Sequence, residues 1–232
     1  MIMNNIPNTI TCLNVLSGTI AILMASKGEN PVCGSLTGIQ WAWIFIGIAA
    51  VADFCDGLAA RLLHAYSNLG KELDSLCDLV SFGVAPAIVL INTLQSCGET
   101  GWSLWAPVLI PVAAALRLAK FNIDTRQSTS FLGLPVPANA IFWIGYSALL
   151  RDGGNLCAGS WWGICAATAL LCWLMVSEIP LFSLKLKSLN PKDSWRQLIL
   201  IGAAILLVLT LGVSGLAWLI LFYVAFSMAA KS

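Results

Sequence analysis

The chain has 232 residues, a formal net charge of +1, 59% apolar residues and only 10% charged ones. Soluble globular chains run nearer about 45–50% apolar and about 25% charged. With a mean hydropathy of +0.86, the composition excludes a soluble enzyme, a disordered regulator and a nucleic-acid-binding module, and describes an integral membrane protein.

Apolar runs separated by Gly, Pro, Asn and charge predict an all-α bundle of about eight transmembrane helices. They fall at roughly 9–26, 39–63, 72–96, 103–122, 135–150, 159–180, 197–212 and 215–230. The residues before the first helix have no basic segment and no small-residue cleavage site, and read as a mature start. Residues 1–190 would hold a six-helix core. Residues 191–232 would form a hairpin around Gly212-Val213-Ser214-Gly215, with no charged residue inside either arm, and read as scaffold.

Eight cysteines are dispersed, with no CxxC, and the single histidine, His64, has no cysteine at ligand spacing, so no zinc site is expected. Cys33, Cys97 and Cys157 fall in loops, where spacing alone assigns no pairing. Orientation follows from basic residues. Arg61, Lys71, Arg117, Lys120, Arg126, Lys185, Lys187, Lys192, Arg196 and Lys231 fall on the side that holds both termini, and only Lys27 and Arg151 fall on the other. That bias places both termini in the cytoplasm. Trp41, Trp43, Trp102, Trp105, Trp161 and Trp162 lie near the opposite helix ends, as an aromatic belt would.

One stretch holds four aspartates. Asp53 and Asp56 are spaced i,i+3 in the latter half of helix 2, and Asp74 and Asp78 are spaced i,i+4 in the first turns of helix 3. A short connection makes these helices antiparallel neighbours, so the pairs can face each other. Aspartate within a membrane segment costs about 2.5–3.5 kcal/mol on insertion scales. Four carboxylates in one low-dielectric pocket repel, so some are protonated or cations neutralise them. Hard divalent ions prefer such all-oxygen sites, and two would offset four negative charges. Paired metals also serve phosphoryl chemistry, holding attacking and leaving oxygens. Gly57 and Ala60 lie on nearly the same face and leave room for a ligand, and Arg61, one turn beyond Gly57, can meet a phosphate.

At these residues the sequence resembles the CDP-alcohol phosphotransferase family, whose motif runs D-x-x-D-G-x-x-A-R, eight residues, then G-x-x-x-D-x-x-x-D. Asp53, Asp56, Gly57, Ala60, Arg61, Gly70, Asp74 and Asp78 match every fixed position. The stretches Ile6-Pro7-Asn8-Thr9-Ile10-Thr11-Cys12-Leu13-Asn14, Arg117-Leu118-Ala119-Lys120-Phe121-Asn122 and Phe131-Leu132-Gly133-Leu134-Pro135-Val136-Pro137-Ala138 are similar to bacterial and archaeal members that use serine as acceptor. Asn139 departs from the small residue expected after Pro-x-Pro. The resemblance implies a dimeric helical enzyme of the cell inner membrane that joins L-serine to CDP-diacylglycerol and releases CMP. It implies that Asp53, Asp56 and Asp74 bind two divalent ions, Mg²⁺ or Mn²⁺, that Asp78 is a further ligand or the catalytic base, and that Gly57 and Ala60 border the CDP moiety.

Helix 1 carries a polar face of Asn8, Thr11, Asn14 and Gly18. It can hydrogen-bond the nucleotide or pyrophosphate of the donor, through Asn8 and Thr11, or bind a neighbouring helix. Arg117 and Lys120 are the candidates for holding the acceptor, against a reading as positive-inside anchors. Two rivals remain: a sister enzyme whose acceptor is glycerol phosphate or inositol phosphate, and a cation transporter using membrane carboxylates. No internal repeat supports the transporter.

Overall fold

The computed structural model describes residues 6–65, 67–124, 131–153, 161–181 and 195–229. Arg126, Cys157, Lys185, Lys187, Lys192 and Lys231 lie outside the described residues. Within them the chain forms helices α1 (Ile6–Ala25), α2 (Gly38–Leu62), α3 (Asn68–Ser96), α4 (Trp102–Ile123), α5 (Val136–Asp152), α6 (Trp161–Val176), α7 (Trp195–Leu211) and α8 (Gly215–Ala229). Two short antiparallel ladders complete the secondary structure among these residues, Pro31–Cys33 with Leu36–Thr37 and Phe131–Leu132 with Pro180–Leu181. The stretches Pro7–Ala25, Gly38–Leu62, Asn68–Ser96, Trp102–Ile123 and Trp195–Ala229 are long and apolar enough to cross a bilayer, and the last holds both arms of the C-terminal hairpin. The fold is that of an all-α integral membrane protein.

Local chemistry explains the helix starts. Thr37 and Gln40 form a capping box that opens α2. Ser67 Oγ accepts from the Gly70 amide at 2.9 Å and opens α3 four residues earlier than the apolar pattern predicts. Asp74 and Asp78 therefore sit in the second and third turns of α3. Directly after Asp78 the helix widens into a π turn over Leu79–Val84, closed by the Ala85 amide bonding the Val80 carbonyl. Pro86 follows; it lacks an amide hydrogen, and its ring crowds the preceding turn, which the wider π turn accommodates. Similarly, α4 opens as a 3₁₀ segment, Trp102–Val108, around Pro107.

Helices α3 and α5 form the centre. The α3 span is 61% buried, whereas the α7–α8 span is 11% buried and α7 buries no residue. Small residues allow close approach, as membrane helix packing requires. A Cβ on Gly18 would collide with Ser81, and one on Gly145 with the backbone of Ala217. At one end of the bundle, Arg151 makes a two-pronged ion pair with Glu29 at 2.6 and 2.7 Å. Trp102, Trp105, Trp161 and Trp162 are exposed at this end. Trp43 differs from the belt expectation: its indole donates to Ser147 Oγ at 2.9 Å beneath the Arg151 guanidinium. Cys33 and Cys97 are free thiols. The aspartates lie at the other end.

Candidate active site

The hairpin of α2 and α3 brings the two aspartate pairs together. One carboxylate oxygen from each of Asp53, Asp56 and Asp74 lies within 4.8 Å of the others. Asp56 is 6% exposed, and its Oδ2, like Asp74 Oδ1, is buried without a hydrogen-bond partner. Buried carboxylate oxygens without donors are costly unless a cation meets them. Three carboxylates converging from two helices are the donor set a hard divalent ion takes. These residues fit the metal that the motif implies.

Asp78 stands apart from this trio. It is 8% exposed, and its Oδ1 accepts a hydrogen bond from Asn14 Nδ2 at 3.0 Å. Ser81 Oγ donates to the Asn14 carbonyl at 3.0 Å, so α1 is fastened to α3 on both sides of the π turn's start. The polar face of α1 thus divides its work. Asn14 serves a neighbouring helix. Thr11 lies beside Asp56, with its hydroxyl also donating to the Pro7 carbonyl at 3.0 Å. Asn8 packs against Gly70 at the start of α3, where a Cβ would meet Asn8 Oδ1 at 3.0 Å.

Gly57 faces open space: a Cβ there would meet nothing within 4 Å. Ala60 is half-buried and Arg61 is exposed at the end of α2. Next to the buried Asp56, space is therefore open at Gly57.

Arg117 is 7% exposed on α4, its guanidinium lies 5.6 Å from the Phe121 ring, and its Nε has no hydrogen-bond partner. It is close enough to Asp78 and to Tyr223 of α8 to interact electrostatically with both. Arg117 also lines a pocket of about 280 Å³ together with Lys120, Asp124, Leu132, Met175 and Glu178. Lys120 Nζ donates to the Val176 carbonyl at 3.1 Å, capping α6. Lys71 Nζ donates to the Asn122 carbonyl at 2.7 Å, and Asn122 Nδ2 to Ser75 Oγ at 2.9 Å, which ties α3 to the end of α4. Gly133 follows Leu132 of the pocket wall and lies tight against the end of α6. Its φ is +73°, and a Cβ would lie 2.7 Å from the Met175 and Ser177 carbonyls and 2.9 Å from that of Leu174. Its amide bonds the Ile179 carbonyl at 2.9 Å.

Comparison with known proteins bears directly on this arrangement. A model of the CDP-alcohol phosphatidyltransferase family matches residues 4–179. The chain belongs to this family. Curated relatives include proteins named CDP-diacylglycerol–serine O-phosphatidyltransferase. The one from Mycobacterium leprae is 37% identical over 190 residues, 74% of this chain and 62% of the relative. The one from Mycobacterium tuberculosis is 33% identical over 193 residues, 80% of this chain and 64% of the relative. The one from Bacillus subtilis is 38% identical over 139 residues, 58% of this chain and 71% of the relative. The chain thus spans a little under two thirds of the mycobacterial relatives. The phosphatidyltransferase match includes the aspartates, Arg117, Lys120 and Glu178, and stops before α7 and α8. Sequence reasoning assigned no role to Tyr223, Asp124 or Glu178. A lone tyrosine in an otherwise apolar arm was the available signal, because a buried phenol usually finds a polar partner.

Proposed function

We propose that the protein transfers the phosphatidyl group of CDP-diacylglycerol to L-serine, giving phosphatidylserine and CMP. The observation that carries the reading is the Asp53, Asp56 and Asp74 cluster beside the open face of Gly57. Asp53, Asp56 and Asp74 would hold two divalent ions, Mg²⁺ or Mn²⁺. When bound, these supply charge stabilisation to the donor's pyrophosphate. Gly57 and Ala60 leave space for the cytidine diphosphate, with Thr11, Asn8 and Arg61 at its border.

Serine as acceptor is supported by the names of the relatives and by the charge of the pocket beside Arg117. Serine is a zwitterion. Arg117 and Lys120 suit its carboxylate, while Asp124 and Glu178 suit its ammonium group. A polyol phosphate, carrying only negative charge, would meet repulsion from the two acids. The serine hydroxyl forms a bond to the phosphorus next to diacylglycerol, and the bond from that phosphorus to the CMP oxygen breaks. CMP departs with the electron pair, and the hydroxyl proton passes to Asp78, which is fixed by Asn14 and close to Arg117. Among the described residues no hydrogen bond joins His64, the single histidine, to a cysteine or serine, which supports one direct displacement.

We further infer a multi-pass protein of the cell inner membrane, with both termini and the aspartates on the cytoplasmic side, acting as a homodimer. The basic residues at the aspartate end support the orientation, and the family resemblance supports the dimer. Residues 1–190 form the catalytic core on this reading. Purified protein supplied with CDP-diacylglycerol and a panel of acceptors tests it: CMP release should require serine. Release with glycerol phosphate or inositol phosphate instead would overturn the acceptor assignment. Absence of CMP with every acceptor would remove the enzyme reading.

A further inference from the structure

Asn122 lies in the last turn of α4, and its chain neighbours Phe121, Ile123 and Asp124 all line the pocket beside Arg117. Asn122 itself is turned to α3, where its backbone and its side chain are both held. Lys71 Nζ donates to the Asn122 carbonyl at 2.7 Å. Asn122 Nδ2 donates to Ser75 Oγ at 2.9 Å and to Glu72 Oε2 at 3.4 Å. The one hydroxyl proton of Ser75 goes to the Lys71 carbonyl at 3.1 Å, which leaves a lone pair of Oγ for Asn122. Read from donor to acceptor, the bonds close a ring: Lys71, Asn122, Ser75 and Lys71 again. Lys71, Glu72 and Ser75 belong to the stretch of α3 that carries Asp74.

In lipid, apolar side chains give neighbouring helices little preference for one height or rotation, so polar contacts between them set both. The outward side of α4 fits this, since Leu109, Val112 and Leu116 are exposed. Two polar attachments fix its end. Lys120 Nζ on the Val176 carbonyl joins it to the end of α6, and these two helix ends supply most of the pocket wall. The ring at Asn122 joins the same end to the helix of Asp74. The first attachment assembles the pocket, and the second sets where the pocket stands relative to the aspartates.

We propose that Asn122 is a positioning residue for the transfer step. It holds the acceptor pocket at the height and rotation that bring the acceptor hydroxyl onto the phosphorus held at the aspartates, and it touches neither substrate. The inference rests on the reading of the pocket beside Arg117 as the acceptor site. A displacement of about 1 Å between reacting groups can cost about a hundredfold in rate, so loss of the ring is felt in turnover and not in binding.

Asn122→Ala tests it. Counted per folded molecule, kcat should fall about tenfold or more. The KM values for serine and CDP-diacylglycerol should stay within about threefold of the parent, and the rise in Tm on adding Mg²⁺ should be the same. Adding Ser75→Ala to Asn122→Ala should lower kcat no further, because the partner of that hydroxyl is already gone. An unchanged kcat, with or without a lower Tm, would make Asn122 a structural residue only and overturn the proposal. So would a tenfold rise in serine KM at constant kcat, or full additivity in the double variant. Arg117→Lys tests the pocket reading separately, since it should raise the serine KM and leaves the ring intact. Should the parent release CMP with another acceptor, that acceptor's kcat and KM enter the same criteria.

Discussion

Asn14 on the first helix donates to the carboxylate of Asp78 on the third at 3.0 Å, across 64 residues of sequence. The amide fixes which oxygen of Asp78 is engaged and which remains for chemistry. Hydrogen bonds to charged groups contribute about 1.5–3 kcal/mol. Asn14→Ala should therefore lower kcat by roughly ten- to a hundredfold, with a smaller change in donor KM. Steady-state kinetics beside thermal unfolding check this. An unaltered kcat would show that Asp78 needs no orientation. Asp78→Asn should lower turnover far more than donor binding. Loss of metal binding in that variant would make Asp78 a ligand.

Metal dependence can be read without turnover. Mg²⁺ or Mn²⁺ should raise the Tm of the parent protein, because a ligand that binds only the folded state stabilises it. Asp53→Asn, Asp56→Asn and Asp74→Asn should each shrink that rise while the metal-free protein remains folded, since each removes a repulsive charge. Chelator should abolish CMP formation and added metal restore it. Full activity in excess chelator would sink the metal assignment.

The open side of Gly57 gives opposite expectations for two substitutions. Gly57→Ala adds one methyl where no atom lies within 4 Å and should stabilise the helix by up to about 1 kcal/mol. Gly57→Leu projects into the space assigned to the nucleotide and should raise the donor KM by tenfold or more without loss of Tm. Equal donor KM for the parent and Gly57→Leu would place the nucleotide elsewhere.

Gly133 combines a positive φ with three carbonyls at the end of α6. Gly133→Ala carries about 1–2 kcal/mol of backbone cost and pushes the Phe131–Leu132 strand away from α6. A lower Tm and weakened acceptor affinity, with an unchanged donor KM, are expected. A Tm equal to that of the parent would contradict the geometry.

Stereochemistry decides the number of displacements. Donor made chiral at the phosphorus next to diacylglycerol should give inverted product. Retention would mean two displacements through an enzyme-bound intermediate.

The helices and the aspartate face were legible in the sequence because both depend on local spacing. Asp53 and Asp56, with Gly57 and Ala60, define a face at any orientation of the helix. The π turn after Asp78 was not legible, since Pro86 is tolerated near many helix starts and only the packed backbone shows which way the preceding turn relaxes. The hydrogen bond from Asn14 to Asp78 was not legible either, because spacing alone left the Asn14 side chain a choice between ligand and neighbouring helix.

Phe54, Leu58 and Leu62 run along α2 at four-residue intervals and are all exposed, directly beside the face of Asp53, Asp56 and Gly57. A greasy stripe thus borders an acidic one on a single helix. A donor with two acyl chains can slide along the first and deliver its head to the second without leaving the lipid phase. Its encounter with the protein is a two-dimensional search, set by its mole fraction in the surface and not by its amount per volume. Serine arrives from water by a three-dimensional one. Inert lipid added to the bilayer slows only the first search, so membrane composition and cytosolic amino-acid supply act on the reaction as separate controls.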